Sequence, residues 1–266
     1  MRVPASLASG FEDIAGAARR HWLWRAMARQ DLRRRHARTL LGPLWSSVSL
    51  ALVVAALSFL FWQPLGTALP AYPVYVAVGV AIWQFLLATL GEAPAAFVAA
   101  ADTIRAARLP LSAFVLRLVW RNLLVLAAQA PVVVAAMIIC GIRPGPEWWT
   151  LPAAILLLAL ASGGAALLLA TIGARFRDVS PIVSNLLQLL FFLTPILWVP
   201  QVLPAHRAWL VQLNPLAAFV DIVRAPLVGA SAAPASWAIA ALLAVLLAGA
   251  GALLFGRCRA SVPYWV

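Results

Sequence analysis

LPAAILLLALASGGAALLLATI, Leu151 to Ile172, carries no charged residue over a length that matches the hydrocarbon core of a bilayer. A core about 30 Å thick asks for roughly 20 apolar residues per helix. A run this long without period-two alternation satisfies its own backbone hydrogen bonds in lipid only as a helix. Working outward, five further stretches read the same way: Leu44 to Trp62, Tyr72 to Ala101, Ser112 to Gly141, Pro181 to Trp198 and Pro234 to Phe255. The sequence therefore predicts an all-α membrane protein with six transmembrane helices, about 44–62, 72–101, 112–141, 151–172, 181–198 and 234–255. Composition agrees, since 64% of the residues are hydrophobic, 11% are charged and the mean hydropathy is +0.95, values far from those of soluble domains.

Six crossings leave both termini on one side, and arginine-rich short loops stay in the cytoplasm. Nine arginines precede the first span, and Arg105, Arg108, Arg117 and Arg121 surround the second-to-third connection. Arg175 and Arg177 follow the fourth span and Arg257 and Arg259 end the chain, whereas Arg143, Arg207 and Arg224 fall outside. The expectation is a multi-pass protein of a bacterial inner (cytoplasmic) membrane with both termini cytoplasmic. The net charge of +12 sits beside membrane helices, so membrane lipids rather than nucleic acid are the expected counter-charge.

The chain contains no lysine, so it cannot carry a GxxxxGK[ST] phosphate loop, and any nucleotide-driven work must come from another subunit. His21, His36 and His206 are scattered outside the spans, which leaves no catalytic residue, metal site or cofactor to assign. Cys140 and Cys258 map to opposite membrane faces, too far apart for a disulfide. The start lacks the pattern of a cleaved signal peptide, so the first span is expected to stay as an anchor.

Residues 1–41 read as a cytoplasmic amphipathic interface segment, and 42–266 as the six-span domain. Phe11, Ile14, Ala15, Ala18, Trp22 and Ala26 recur at three- and four-residue steps on one stripe, while Leu23, Trp24 and Met27 lie on the other side. One face of such a helix meets lipid and the other protein. ADTIRAARLP, Ala101 to Pro110, predicts a short cytoplasmic helix over about 102–110, with Ile104 and Arg108 four apart on one face. GARFRDVS, Gly173 to Ser180, is a second cytoplasmic turn in which Asp178 can pair Arg175 or cap the next helix. Between 203 and 229, LPAHRAWLVQL and NPLAAFVDIVRAPLVG are too apolar for a free loop and too short to cross. They read as two re-entrant or surface-lying half helices, with Asp221 and Arg224 placed to neutralise each other.

Polar residues inside spans are Glu92, Asn122, Gln129, Asn185 and Gln188. Glu92 leaves two readings open, a proton-coupling site of a secondary carrier or a structural contact between helices, and no companion acid or histidine continues a relay. Gly163, Gly164 and Gly173 suit close helix packing.

DLRRRHARTLLGPLW (Asp31–Trp45), DTIRAARLP, RFRDVSPIVSNLLQLLFFLTPILW (Arg175–Trp198), NPLAAFVDIVRAPLVG (Asn214–Gly229) and the closing YWV resemble, in that order, the permeases of type-2 ABC exporters for polysaccharides and polyol phosphates. The resemblance implies a homodimeric permease bound to two copies of a separate ATP-binding subunit, which would hold ATP and Mg. It implies that Asp102, Thr103, Ile104, Arg105, Arg108, Leu109 and Pro110 form the ATPase coupling helix. Arg33, Arg34, Arg35, Arg38, Gly42 and Pro43 would frame the cytoplasmic entrance, with Arg175, Arg177 and Asp178 in the second turn. Asn214, Pro215, Asp221 and Arg224 would belong to the periplasmic gate. The substrate would be a lipid-linked polysaccharide of O-antigen or capsule type, passing aromatic rings such as Trp45, Phe191, Phe192 and Trp198, whose faces stack on pyranose rings. Competing classes are a type-2 ABC exporter of drugs or small lipids, a proton-coupled carrier using Glu92, and a membrane-embedded transferase.

Overall fold

The computed structural model describes residues 7–35, 42–65, 71–107, 109–143, 145–200, 204, 209–212 and 214–266. Among these residues every regular element is helical and no strand occurs. The interface segment forms two helices rather than one, α1 (Leu7–Arg19) and α2 (His21–Arg35), separated by a turn at Arg20 that neither glycine nor proline marks. The turn is closed by the Leu23 N–H donating to the Arg20 carbonyl at 2.9 Å. After Gly42, held at a φ of 53° that suits a residue without Cβ, α3 (Trp45–Leu65) begins.

The second hydrophobic run does not stay regular to Ala101. It forms α4 (Tyr72–Glu92), then two 3₁₀ turns at Ala93–Ala95 and Val98–Ala100, then the short α5 (Ala101–Ala106). Pro94 supplies the cause, because it has no N–H for the helical ladder. The next helices are α6 (Ser112–Ile139) and α7 (Leu151–Arg175), close to the predicted spans. The fifth run stops early: α8 (Val179–Leu193) ends before Thr194, whose extended backbone (φ −92°, ψ 134°) is what a following proline imposes. α9 (Trp209–Gln212), α10 (Pro215–Leu227), α11 (Pro234–Cys258) and α12 (Val262–Trp265) complete the order.

Four helical stretches, Tyr72–Ala95, Ser112–Ile139, Pro146–Arg175 and Pro234–Cys258, are long and apolar enough to cross a membrane, while Trp45–Phe61 and Val179–Leu193 are shorter apolar helices. α4 is the central one, with 72% of its apolar window inside the protein against 22% for α11. Apolar burial does not drive helices together in lipid, so close backbone contact has to do so. Gly164 and Gly251 supply it between α7 and α11: a Cβ on Gly164 would strike the Ala248 backbone, and one on Gly251 the Gly164 carbonyl. Gly173 does the same against the Pro94 backbone, so the 3₁₀ break after α4 is seated on α7. Polar groups add specific inter-helix bonds. The Asn122 amide donates to Thr89 Oγ1 at 3.1 Å, that of Gln129 to Gln84 Oε1 at 2.5 Å, and the Ser47 hydroxyl to the Ala128 carbonyl at 2.6 Å. α10 lies buried among α4, α7 and α11 rather than on a surface.

Candidate functional site

At the arginine-rich end of the spans, α1 and α2 fold back over α6 and α11. Trp24 meets Trp120 edge-on with ring centroids 5.7 Å apart, and Met27 packs against the buried cluster around Phe97 and Phe255, so this is the side that meets protein. Phe11, Ala15, Ala18, Trp22 and Ala26 remain exposed on the other side, with Ile14 half-buried.

The residue that ties this end together is Asp13, whose carboxylate is fully buried. It accepts from the Leu111 N–H at 3.1 Å, the Ser112 N–H at 3.0 Å, the Ser112 hydroxyl at 2.7 Å and Arg259 Nε at 2.7 Å. A carboxylate thus caps the first turn of α6 from another helix, answering N–H groups that have no partner within their own helix. The sequence reading missed Asp13. Its one signal is the spacing Gly10, Asp13, Ala17, two small residues flanking an acid on the face that turns inward.

α5 lies beside this clamp. Ile104 and Leu109 pack against the buried cluster around Phe97 and Phe255, while Asp102, Thr103 and Arg105 are exposed and Pro110 is buried. Arg105 Nη2 donates to the Val266 carbonyl oxygen at 2.5 Å, so α5 is braced by the last residues of the chain. Arg108 and Arg38 lie outside the described residues, as does the side chain of Pro43. Arg33 and Arg34 are exposed at the end of α2, and Arg35 Nη2 reaches Glu92 Oε1 at 3.2 Å. The other Glu92 oxygen takes Arg121 Nη2 at 2.6 Å, and Asp31 holds Arg117. Glu92 is therefore a two-arginine junction at the end of α4, 39% exposed beside a cavity of about 320 Å³, and the structural reading of this acid holds.

The second turn differs from expectation. Arg175 stacks its guanidinium over Phe176 and Trp265, at 5.5 Å and 5.4 Å from the ring centroids, rather than pairing with Asp178. Asp178 stands at the N-cap of α8 without a capping side-chain bond, and Arg177 is exposed. The carboxylate is free for water here, while an aromatic face 5–6 Å away attracts the cation.

Along its length, α8 presents an outward face of Ile182, Leu186, Leu189 and Phe192, together with Asn185 and Gln188. Trp45 and Phe59 are likewise exposed on α3. Phe191 turns inward against Trp83, with centroids 5.5 Å apart, and Trp198, just beyond α8, donates its indole N–H to the Phe192 carbonyl at 3.1 Å. Four aromatic residues predicted together thus divide: Trp45 and Phe192 are exposed on α3 and α8, while Phe191 and Trp198 are engaged within the protein.

Asn214 joins α10 to the end of α8. Its Oδ1 accepts from the Leu216 N–H at 3.0 Å as an N-cap, and its Nδ2 donates to Thr194 Oγ1 at 2.9 Å; Pro215 follows at the first helical position. The predicted Asp221–Arg224 ion pair does not form. Asp221 accepts from the Ser236 hydroxyl at 2.6 Å, and Arg224, 6% exposed, turns into the core, where Nη1 donates to the Pro195 carbonyl at 2.8 Å. Its Cζ sits 3.6 Å from the Tyr75 ring centroid. The Tyr75 hydroxyl lies 3.0 Å from both the Pro195 and the Trp198 carbonyl oxygens, and the Tyr72 hydroxyl donates to Leu197 at 3.0 Å. The three-residue spacing that suggested the pair is overridden because the carbonyls exposed by the Thr194–Pro195 break need donors.

Residues 23–228 match the family of ABC-2 type transporters. The chain belongs to that family. Similar curated relatives of this ABC-2 chain include two proteins of Klebsiella pneumoniae called O-antigen export system permease protein RfbA, 28% and 27% identical over 192 residues that cover 72% of this chain and 74% of theirs. A Myxococcus xanthus protein of the same name is 26% identical over 206 residues, 75% of this chain and 78% of its own. The matched region runs from α2 to the end of α10, so it contains α5, the outward face of α8 and the Arg224 cluster. Asp13 and Arg259 lie outside the matched range.

Proposed function

We propose that this ABC-2 permease forms the membrane channel of an ATP-driven exporter that moves a lipid-linked polysaccharide of O-antigen or capsule type from cytoplasm to periplasm. Membership of the family, with relatives named for O-antigen export, is the observation that carries this reading. The chain is the transport subunit, without a nucleotide site of its own; ATP and Mg are held by two separate ATP-binding subunits. It works as a homodimer with six crossings per protomer, α3 and α8 completing the four long spans, in a bacterial inner membrane with both termini cytoplasmic. The outward face of α8 supports the pairing, because Phe192 shares it with the amides of Asn185 and Gln188, and α3 adds the exposed rings of Trp45 and Phe59. α5 is the surface on which the ATPase pushes, and α9 and α10 are the half helices of the outer gate.

The test is co-purification of the tagged chain from membranes of its source, followed by ATP hydrolysis and glycan export in reconstituted vesicles. A stoichiometric ATPase whose hydrolysis responds to lipid-linked glycan is the expected result. A chain that emerges alone and moves solute on a proton gradient would sink the proposal.

A further inference from the structure

An apolar furrow of about 480 Å³ runs along α6 between α7, α11 and α1, with Phe11, Ile14, Trp24, Trp120, Leu123 and Gly163 among its walls. A second hollow of about 520 Å³ shares Trp120 and Leu123 with it and continues along α6 to Val134 and Trp148. From Ser112 to Val134 the two follow α6 for roughly 33 Å at 1.5 Å per residue, the thickness of a hydrocarbon core. No residue of α3 or α8 lines either hollow, so the furrow stands apart from the proposed glycan path.

Where the two hollows join at Trp120, Arg25 places its Cζ 5.3 Å from the Trp24 ring centroid and 5.0 Å from that of Trp120, both of which are furrow walls. Its neighbours are matched: Arg117 has Asp31, and Arg121 and Arg35 share Glu92. Arg25 has no carboxylate within ion-pair reach among the described residues, and its Nε and the Trp120 indole N–H are buried without hydrogen-bond acceptors. Buried donors of this kind call for an acceptor, and a guanidinium prefers the oxygens of a phosphate. An unmatched cation set against the wall where two apolar hollows join is complementary to one kind of molecule.

We propose that the furrow holds an acyl chain of a glycerophospholipid with a net negative headgroup, its phosphate accepting from the terminal nitrogens of the Arg25 guanidinium. The lipid would cement α1 and α2 to the spans, because Phe11, Ile14 and Trp24 line the furrow. Gly163 gives a way to block the chain. A Cβ there meets only a Val119 methyl at 3.9 Å, so a larger side chain grows into the furrow, whereas one on the adjacent Gly164 would strike the α11 backbone.

Native mass spectrometry of the full detergent-purified chain, with phosphatidylglycerol and phosphatidylcholine added as probes, tests the assignment. Phosphatidylglycerol should bind in preference to phosphatidylcholine, and Arg25→Gln should weaken it about tenfold, the worth of one charged hydrogen bond. Gly163→Leu should remove the bound lipid, while Arg19→Gln, the same charge lost from an exposed position on α1, should leave it in place. Each variant is compared by its monodisperse elution, so that loss of lipid is read on folded protein. Equal retention by Arg25→Gln and Gly163→Leu, loss by Arg19→Gln as large as by Arg25→Gln, or co-purification of a polyprenyl-linked glycan displaced by Gly163→Leu would overturn the proposal.

Discussion

Arg224 stands over the ring of Tyr75, its Cζ 3.6 Å from the centroid, and joins α10 to α4 in a pocket with no carboxylate bonded to it. Nη1 satisfies the Pro195 carbonyl at 2.8 Å, which the end of α8 leaves without a helical partner. Removing the guanidinium takes a donor from the buried Pro195 carbonyl and opens space over the Tyr75 ring, at about 1–3 kcal/mol. Arg224→Ala should lower the melting temperature of the purified protein and free the segment after α8. Gly79→Ala should act through the same place, because a Cβ there runs into the Arg224 guanidinium and Ile196. The double variant should be little worse than the more damaged single one, and additive losses would show two independent sites.

Asp13 carries four bonds and Arg259 one of them, so their replacements should differ in size. Asp13→Ala orphans two buried N–H groups, about 1–3 kcal/mol for each group left unmet, while the Ser112 hydroxyl keeps the main-chain carbonyl of residue 13 at 3.2 Å. Arg259→Ala removes one partner at a half-exposed edge and should cost less. Thermal melts in detergent give the order, and equal losses would mean that the α6 cap contributes little.

Glu92→Gln keeps shape while removing the charge shared by Arg35 and Arg121. ATP-driven export should persist at no less than about a fifth of the parent rate, since an exposed pair is worth about 0–1 kcal/mol. Arg121→Ala should be the more damaging change, because Arg121 is 12% exposed where Arg35 is 54% exposed. Abolished export in Glu92→Gln with normal assembly would return the acid to a direct part in transport.

Arg105→Glu reverses the charge on the exposed side of α5 and breaks the 2.5 Å bond to Val266. Membrane levels of the chain should be unchanged, whereas glycan-stimulated ATP hydrolysis in the reconstituted complex should fall about tenfold, the worth of one charge-assisted contact. Unaltered coupling would remove α5 from the ATPase surface.

The long helices were legible because a bilayer imposes one rule on every residue they contain, and the uncharged run from Leu151 onward obeys it without exception. Their ends were less legible. Pro94 and Pro195 each interrupt a run whose apolar character continues, and hydropathy cannot distinguish a continuing helix from a broken one. The side-chain partners were least legible. Asp221 and Arg224 share a helix face in the sequence, but Pro195, 29 residues away, offers the guanidinium a better acceptor. Asp13 was invisible for the same reason, since its partners lie 98 to 246 positions downstream. For Glu92 the sequence left two readings open, since its partners Arg35 and Arg121 lie 57 and 29 positions away.

The Asp13 clamp also sets an order of assembly. Its carboxylate is made before α3, while the Leu111 and Ser112 donors follow α4 and Arg259 follows α11. A buried anion cannot settle fully until its cation arrives. The interface helices therefore gain their last anchor only once α11 is in place, and a chain cut short before α11 leaves a buried carboxylate searching for its mate.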